Sequence, residues 1–290
     1  MREPTIKHGL VTLVTVQTSV QAPVDSTIES KSKVKTNRHN KQMINYAFVL
    51  IDLTTSKTPD AMRPASHFNF MIDSLFEQAM GPYAEHYGTP IVSFRIASSP
   101  ADRTINEIAI NFRDNIPEAP GALAFHQVVN GVPDIEIGTD LFSNISEDGD
   151  GLLSGVSHEL LELFGDAGAN GWKDRQNGDG LLDAEELCDK VQNSGYKSSN
   201  GGYVSNFLLP TAFIPGSSGP WDYLGVMKTQ YDYSNGYEIV ASEPAKVSQF
   251  SGMSLEMHPY PYKMQGELSE TQRKRKAHAF SRTRRRSVKL

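Results

Sequence analysis

A ten-residue stretch in the second half of the chain has the residue types and spacing of a metal-dependent hydrolase. Residues 157–166 are Ser-His-Glu-Leu-Leu-Glu-Leu-Phe-Gly-Asp. His158 and Glu162 are four residues apart, so on a helix their side chains lie on one face, one turn from each other. An imidazole and carboxylates that converge in this way can bind a divalent metal ion, and Asp166 would lie one turn further along if the helix continued past Gly165.

Glu159, which follows the first of these ligands, is the candidate catalytic residue. A carboxylate beside a metal-activated water can take the proton of that water, which is the general-base role in metal-assisted hydrolysis. The zinc-protease pattern His-Glu-x-x-His has a second histidine where this chain has Glu162, and a carboxylate is a harder ligand than an imidazole. The motif predicts a divalent ion, with zinc expected. The alternative is an amphipathic helix in which His158 and the glutamates pair with one another.

A second metal-binding pattern follows the helix. Residues 177–186 are Asn-Gly-Asp-Gly-Leu-Leu-Asp-Ala-Glu-Glu. With Gly180 at the sixth position of a calcium loop, four oxygen-bearing side chains fall at ligand positions three, five, nine and twelve: Asn177, Asp179, Asp183 and Glu186. Arg175 stands at the first position and cannot ligate, so the pattern predicts a weak calcium site. Ordinary turn chemistry of Asp, Asn and Gly is the alternative.

These segments resemble a family of uncharacterised zincin-like, or metallopeptidase-like, proteins of bacteria and their phages. The resemblance rests on the Ser-His-Glu-x-x-Glu helix, on residues 185–191 (Glu-Glu-Leu-Cys-Asp-Lys-Val) and on residues 203–210 (Tyr-Val-Ser-Asn-Phe-Leu-Leu-Pro). Residues 121–129 resemble the segment that precedes the helix in this family. The resemblance covers residues 120–245 and includes the order of elements before them.

The resemblance implies a fold and a set of site residues. The fold is a twisted sheet with an edge strand over a cleft and an active-site-type helix beneath. The site residues lie on the edge strand, on and just after the helix, and on the segment that follows: His126, His158, Glu159, Glu162, Asp166, Glu186 and Asp189. The resemblance implies this fold more strongly than a reaction, and the helix motif makes a metal-dependent hydrolase with a polypeptide substrate the first functional hypothesis.

Hydrophobic patterning predicts the elements that position these residues. Apolar runs predict strands at 10–16, 46–53, 90–97, 107–112, 122–129, 135–138, 203–209 and 237–241. Apolar residues at helical spacing predict helices at 67–87 and 152–164, with a short helical piece at 184–191. A turn at residues 130–131 joins two of the strands. The pattern predicts an α+β domain over residues 44–245. The resemblance implies that this domain is zincin-like and that its sheet is mixed.

Basic segments flank this predicted domain. The net charge of the 290 residues is −6, yet residues 271–290 hold nine Lys/Arg and no acid, and residues 1–43 carry a net charge of +4. We expect residues 1–43 to be a strand and a basic arm, and residues 246–290 to be a C-terminal extension with a basic tail. Such ends can bind an acidic protein surface or nucleic acid.

Composition excludes some classes of protein and leaves two alternatives to the hydrolase. No apolar run approaches the roughly 20 residues of a transmembrane helix, so no membrane is expected. The single Cys188 excludes an internal disulfide framework, and we expect a cytoplasmic protein, in host cytoplasm or a virion if the gene is a phage gene. One alternative is an inactive structural protein of a phage particle, whose arms bind neighbouring subunits in a homo- or hetero-oligomer. The other is a calcium-stabilised binding module.

Overall fold

The computed structural model describes residues 45–251, except residues 118, 120, 121, 130, 131, 170, 178, 180, 244 and 245, and it describes the backbone alone for residues 241–251. Several predicted features lie outside the described residues: the strand at 10–16, the N-terminal arm, the turn at 130–131 and the basic tail.

The described residues alternate between short strands and a few helices. The strands are β1 (Asn45–Asp52), β2 (Ile91–Ala97), β3 (Ile108–Arg113), β4 (Ala124–Val129), β5 (Val132–Gly138), β6 (Trp172–Asp174), β7 (Leu182–Ala184), β8 (Gly195–Lys197), β9 (Tyr203–Ser205), β10 (Tyr237–Glu243) and β11 (Lys246–Ser251). The α-helices are α1 (Phe68–Gln78), α2 (Ala84–Tyr87) and α3 (Leu152–Gly165), with 3-10 turns at Asp60–Met62, Pro64–Ser66, Pro100–Asp102, Thr139–Leu141, Asp189–Val191 and Pro210–Phe213. Within the described range, no helix has the length and apolarity needed to cross a lipid bilayer.

Five strands form the main sheet in the order β2-β1-β3-β5-β4. β1 is parallel to both β2 and β3, and β3 is parallel to β5. β4 is antiparallel to β5 and lies at the edge of the sheet. The predicted α+β class and the mixed sheet are therefore confirmed.

The helices pack on one face of this sheet. Successive side chains of a strand point to opposite faces, so alternate residues of the central strands share a face. Phe48 and Leu50 of β1 and Ile110 of β3 are buried in one core with Leu75 of α1 and Leu160 of α3. The residues between them in β1 belong to a smaller, separate cluster. This packing fixes α3 against the sheet, where it contacts β4 and β5.

The predicted helix at 67–87 is interrupted. α1 ends at Gln78, and Ala79–Tyr83 form a wider π-type turn that contains Pro82 before α2 begins. Proline has no backbone N–H, and its ring clashes with the carbonyl group four residues earlier. The helix therefore widens at this point and then resumes.

A second sheet, β11-β10-β7-β6, is antiparallel throughout and corrects one prediction. The predicted helical piece at 184–191 is wrong over most of its length, because Ala184 ends β7 and only Asp189–Val191 form a 3-10 turn. Backbone pairing with β6 and β10 holds β7 extended. β11 pairs with β10 and continues this sheet to Ser251.

The predicted strand at 203–209 is also shorter than expected. β9 pairs with β8 and ends at Ser205. The next residue, Asn206, is buried and its side-chain amide donates hydrogen bonds to Ser194 and Asp222. Beyond Asn206 the backbone pairs with residues 221–223 instead of with β8, since the Leu209 N–H donates to the Trp221 carbonyl and the Tyr223 N–H donates to the Phe207 carbonyl.

Candidate metal centre

α3 carries three of the predicted site residues into the interior. Leu153, Leu160 and Leu163 are fully buried, so the helix is covered by protein on several faces. Gly155 lets the Phe142 ring lie directly against the helix, because a Cβ at residue 155 would lie 2.5 Å from the ring. A helix enclosed in this way carries its charged side chains to places where they need partners.

One group of candidate ligands joins α3 to the 3-10 turn at Asp189–Val191. His158 Nε2 lies 3.0 Å from Glu162 Oε1, which is one helical turn away, and 3.2 Å from Asp189 Oδ1. The His158 side chain is 12% exposed, whereas the two carboxylates are buried. We call His158, Glu162 and Asp189 the outer cluster, since its histidine reaches the surface.

A second group joins α3 to the edge strand β4. His126 Nδ1 lies 3.1 Å from Glu159 Oε2 and 3.8 Å from Glu162 Oε2. The exposed fractions of the three side chains are 0%, 2% and 0% for His126, Glu159 and Glu162. These three residues, which we call the inner cluster, are buried and close enough together to hold a metal ion.

The distances in both clusters are compatible with a bound cation as well as with hydrogen bonds. In each cluster one imidazole nitrogen faces two carboxylate oxygens, but a single N–H has only one hydrogen to donate. An ion bonded at about 2.0–2.2 Å to each ligand keeps neighbouring ligand atoms roughly 3.0–3.6 Å apart. Most of the observed separations lie in that range, so the donor sets fit a divalent ion.

The charges of the two clusters also bear on whether a metal ion can bind there. Three buried carboxylates, on Glu159, Glu162 and Asp189, share two imidazoles. Burial lowers the pKa of His158, but Glu162 and the hydrogen bond to Asp189 raise it more, to about 10. The same carboxylates that raise the proton affinity of His158 carry the negative charge that a divalent ion at this position would need.

Two of the predicted ligands are not brought into these clusters. α3 ends at Gly165, so Asp166 leaves the helical face and its side chain instead accepts a hydrogen bond from the backbone N–H of Gly171. Glu186 is buried, and it belongs to neither group of ligand atoms that lie within 4.8 Å of one another in the described part of the chain. Of the three positions that the resemblance indicated after the helix, Asp166, Glu186 and Asp189, the last is therefore the one that meets His158.

The predicted calcium loop is arranged around basic side chains. Arg175 contacts Asp179 and Asp183, at 3.3 Å in each case, and the Lys190 ammonium pairs with Asp183 as well. Asn177 bonds to Asp179 through its side-chain amide. A guanidinium thus lies where the carboxylates of a calcium loop would face the ion, so this arrangement stabilises the loop without calcium.

The sharing of Glu162 between two histidines was not predicted from the sequence. The helix spacing indicated Glu162 as a partner of His158 alone, and only the family resemblance indicated His126. A buried histidine inside a strand predicted to lie beside the helix is the available signal, but strand order must be known before it can be used.

Comparison with known protein families, with curated proteins and with solved structures found no match for this chain.

Proposed function

We propose that this protein is a metal-dependent hydrolase of the zincin-like, metallopeptidase type, with a divalent ion at the outer cluster. The observation that supports this most is the meeting of two carboxylates and one imidazole nitrogen within 3.2 Å at a histidine that reaches the surface. Three protein ligands of nitrogen and oxygen type leave a coordination position open for a substrate, which favours zinc. The residues that hold the ion are His158, Glu162 and Asp189.

The ion supplies Lewis acidity when bound, since it polarises a carbonyl group and lowers the pKa of water. In this proposal the Glu159 carboxylate takes the proton of the attacking water and later gives it to the leaving amine. His126 Nδ1, 3.1 Å from Glu159 Oε2, donates a hydrogen bond that fixes the orientation of this carboxylate. His126 is thus a positioning residue, and Glu159 is the catalytic residue.

The position of β4 supports a polypeptide as the substrate. β4 pairs with β5 on one side and is the last strand in the order of the main sheet. An edge strand presents backbone N–H and C=O groups to which an extended peptide can bind. Because His126 lies within β4, a peptide paired with this strand would run close to the clusters.

The test combines metal analysis with a conservative variant. Purified protein is analysed for transition metals, and hydrolysis of an unfolded protein is compared between wild type and Glu159→Gln. We expect about one ion or more per chain, and a loss of hydrolysis of roughly 10²–10⁴-fold in the variant, the usual contribution of a general base. Glu85→Gln, a change on the exposed face of α2, is the matched control and should leave the rate unchanged.

Either of two results would contradict the proposal: purified and reconstituted protein that binds no divalent ion, or equal hydrolysis by wild type and Glu159→Gln. The structural alternative, in which basic arms bind neighbouring subunits, stays a prediction because both basic segments lie outside the described residues.

A further inference from the structure

Glu162 is the one residue that belongs to both clusters. Its Oε1 lies 3.0 Å from His158 on the outer side, and its Oε2 lies 3.8 Å from His126 on the inner side. The two oxygens of one carboxylate thus face two different imidazoles, and a further carboxylate lies beside each imidazole. A carboxylate in this position can bridge two metal ions, one at each oxygen.

We propose that the protein binds two divalent ions bridged by Glu162, the first in the outer cluster and the second in the inner cluster. The inference rests on the proposed function for the first ion and adds a second site. Each cluster supplies one imidazole and two carboxylate oxygens within 4.8 Å of one another. Hydrolases with two-metal sites hold their ions about 3.5–4 Å apart, a separation that one bridging carboxylate spans.

The surroundings give the two ions different properties. The outer cluster reaches the surface at His158, whereas every ligand of the inner cluster is at most 2% exposed. The outer ion is therefore the one nearer the surface, and the inner ion is enclosed. The inner ion would also take Glu159 as a ligand, and a carboxylate bonded to an ion is a poorer base. Binding of the second ion should therefore slow the proposed hydrolysis, so that metal concentration regulates the site.

The experiment measures how many ions the intact chain binds. Protein stripped with a chelator is titrated with Zn²⁺ in a calorimeter, and the count is repeated for His126→Ala and for His86→Ala, which removes an exposed imidazole from α2. We expect two ions for wild type and His86→Ala and one ion for His126→Ala. His126→Asn, which keeps a polar side chain in the strand, gives the same count if the alanine variant does not fold.

A second readout reports whether the two ions are neighbours. With Co²⁺, a paramagnetic substitute for Zn²⁺, the electron paramagnetic resonance signal per ion should fall as the second equivalent binds, and this loss should be absent in His126→Ala. A wild type that binds one ion overturns the second site and leaves the proposed function standing. A wild type that binds none overturns both, and two ions retained by His126→Ala with unchanged coupling overturn the assignment to the inner cluster.

Discussion

Among the described residues, two of the groups of buried charged side chains are balanced in different ways. In the first, Arg175 pairs with Asp183 and Glu238, and Lys190 also pairs with Asp183. All four side chains are at most 7% exposed, and Arg175 and Lys190 also lie over the Tyr231 ring. We call this group the ion-pair network. Its positive charges are permanent under ordinary conditions, so the network is balanced by the chain alone.

The inner and outer clusters form the contrasting group. Their positive partners are the imidazoles of His126 and His158, which carry a charge only when protonated. The same kind of carboxylate is therefore bound to a fixed cation in one place and to a titratable base in the other. Buried acids alone therefore do not indicate a metal site, whereas buried acids that share an imidazole nitrogen leave room for an exchangeable cation.

The largest expected effect comes from breaking the ion-pair network. Arg175→Met leaves Asp183 and Glu238 with less compensation, and removal of one partner of a buried pair costs about 3–5 kcal/mol of the free energy of unfolding. Urea unfolding measures this loss, and Arg175→Lys, which keeps the charge, should lose less. Zn²⁺ stoichiometry should stay as in wild type. A loss of unfolding free energy below about 1 kcal/mol would mean that Asp183 and Glu238 do not depend on Arg175 for their charge balance.

A somewhat smaller effect on the free energy of unfolding is expected from removal of the proposed metal ion. A ligand that binds only the folded state at 100 times its Kd raises the free energy of unfolding by about 2.7 kcal/mol. Urea unfolding with Zn²⁺ and with a chelator measures the difference. Glu162→Gln should remove most of it, because this carboxylate belongs to both clusters, while Arg175→Lys should keep it. Equal stabilisation of wild type and Glu162→Gln would place the ion elsewhere.

The smallest expected effect on stability comes from an ion pair outside both groups. It shows what a partly exposed pair contributes to the free energy of unfolding, for comparison with the buried groups. The Arg95 guanidinium hydrogen-bonds to Glu107 and, against the opposing effect of burial, lowers the pKa of Glu107 from 4.5 to about 2. This stabilisation is present above pH 4.5 and is lost as the pH falls towards 2. Because Arg95 is 37% exposed, solvent screening limits it to about 1 kcal/mol.

Acid unfolding of wild type and Glu107→Gln measures the contribution of this pair. The difference in stability between the two proteins should be constant above pH 5 and should shrink between about pH 4.5 and 2, the interval in which only the wild-type group titrates. A difference that grows on acidification would have the wrong sign for a carboxylate whose pKa is lowered.

Much of the fold follows from local patterns in the sequence. The helix predicted at 152–164 is observed at Leu152–Gly165, and strands predicted at 90–97 and 107–112 are observed within one residue of those bounds. These elements have apolar residues at the period of their own structure, so burial and local preference agree. The wrong helical piece at 184–191 lacked that agreement, because pairing with β10 decides the conformation of β7.

Some contacts of the candidate site also follow from local spacing in the sequence, and others depend on the tertiary structure. Helical spacing alone places Glu162 one turn from His158, since both residues belong to one regular element. Asp189 and His126 join them across separations of 31 residues from His158 and 33 from Glu159, and no local spacing encodes such contacts. They depend on β4 lying at the sheet edge beside α3 and on the 3-10 turn at Asp189–Val191.

The sequence by itself therefore determined the helix, its histidine and its carboxylates, because a short-range period of 3.6 residues fixes their relative positions. Only the tertiary structure decided that Glu162 has a histidine on each side, that Asp166 turns away and that Asp183 binds cations of the chain. Long-range packing sets these neighbours, because a side chain's partners in a folded core come from whichever elements share its space.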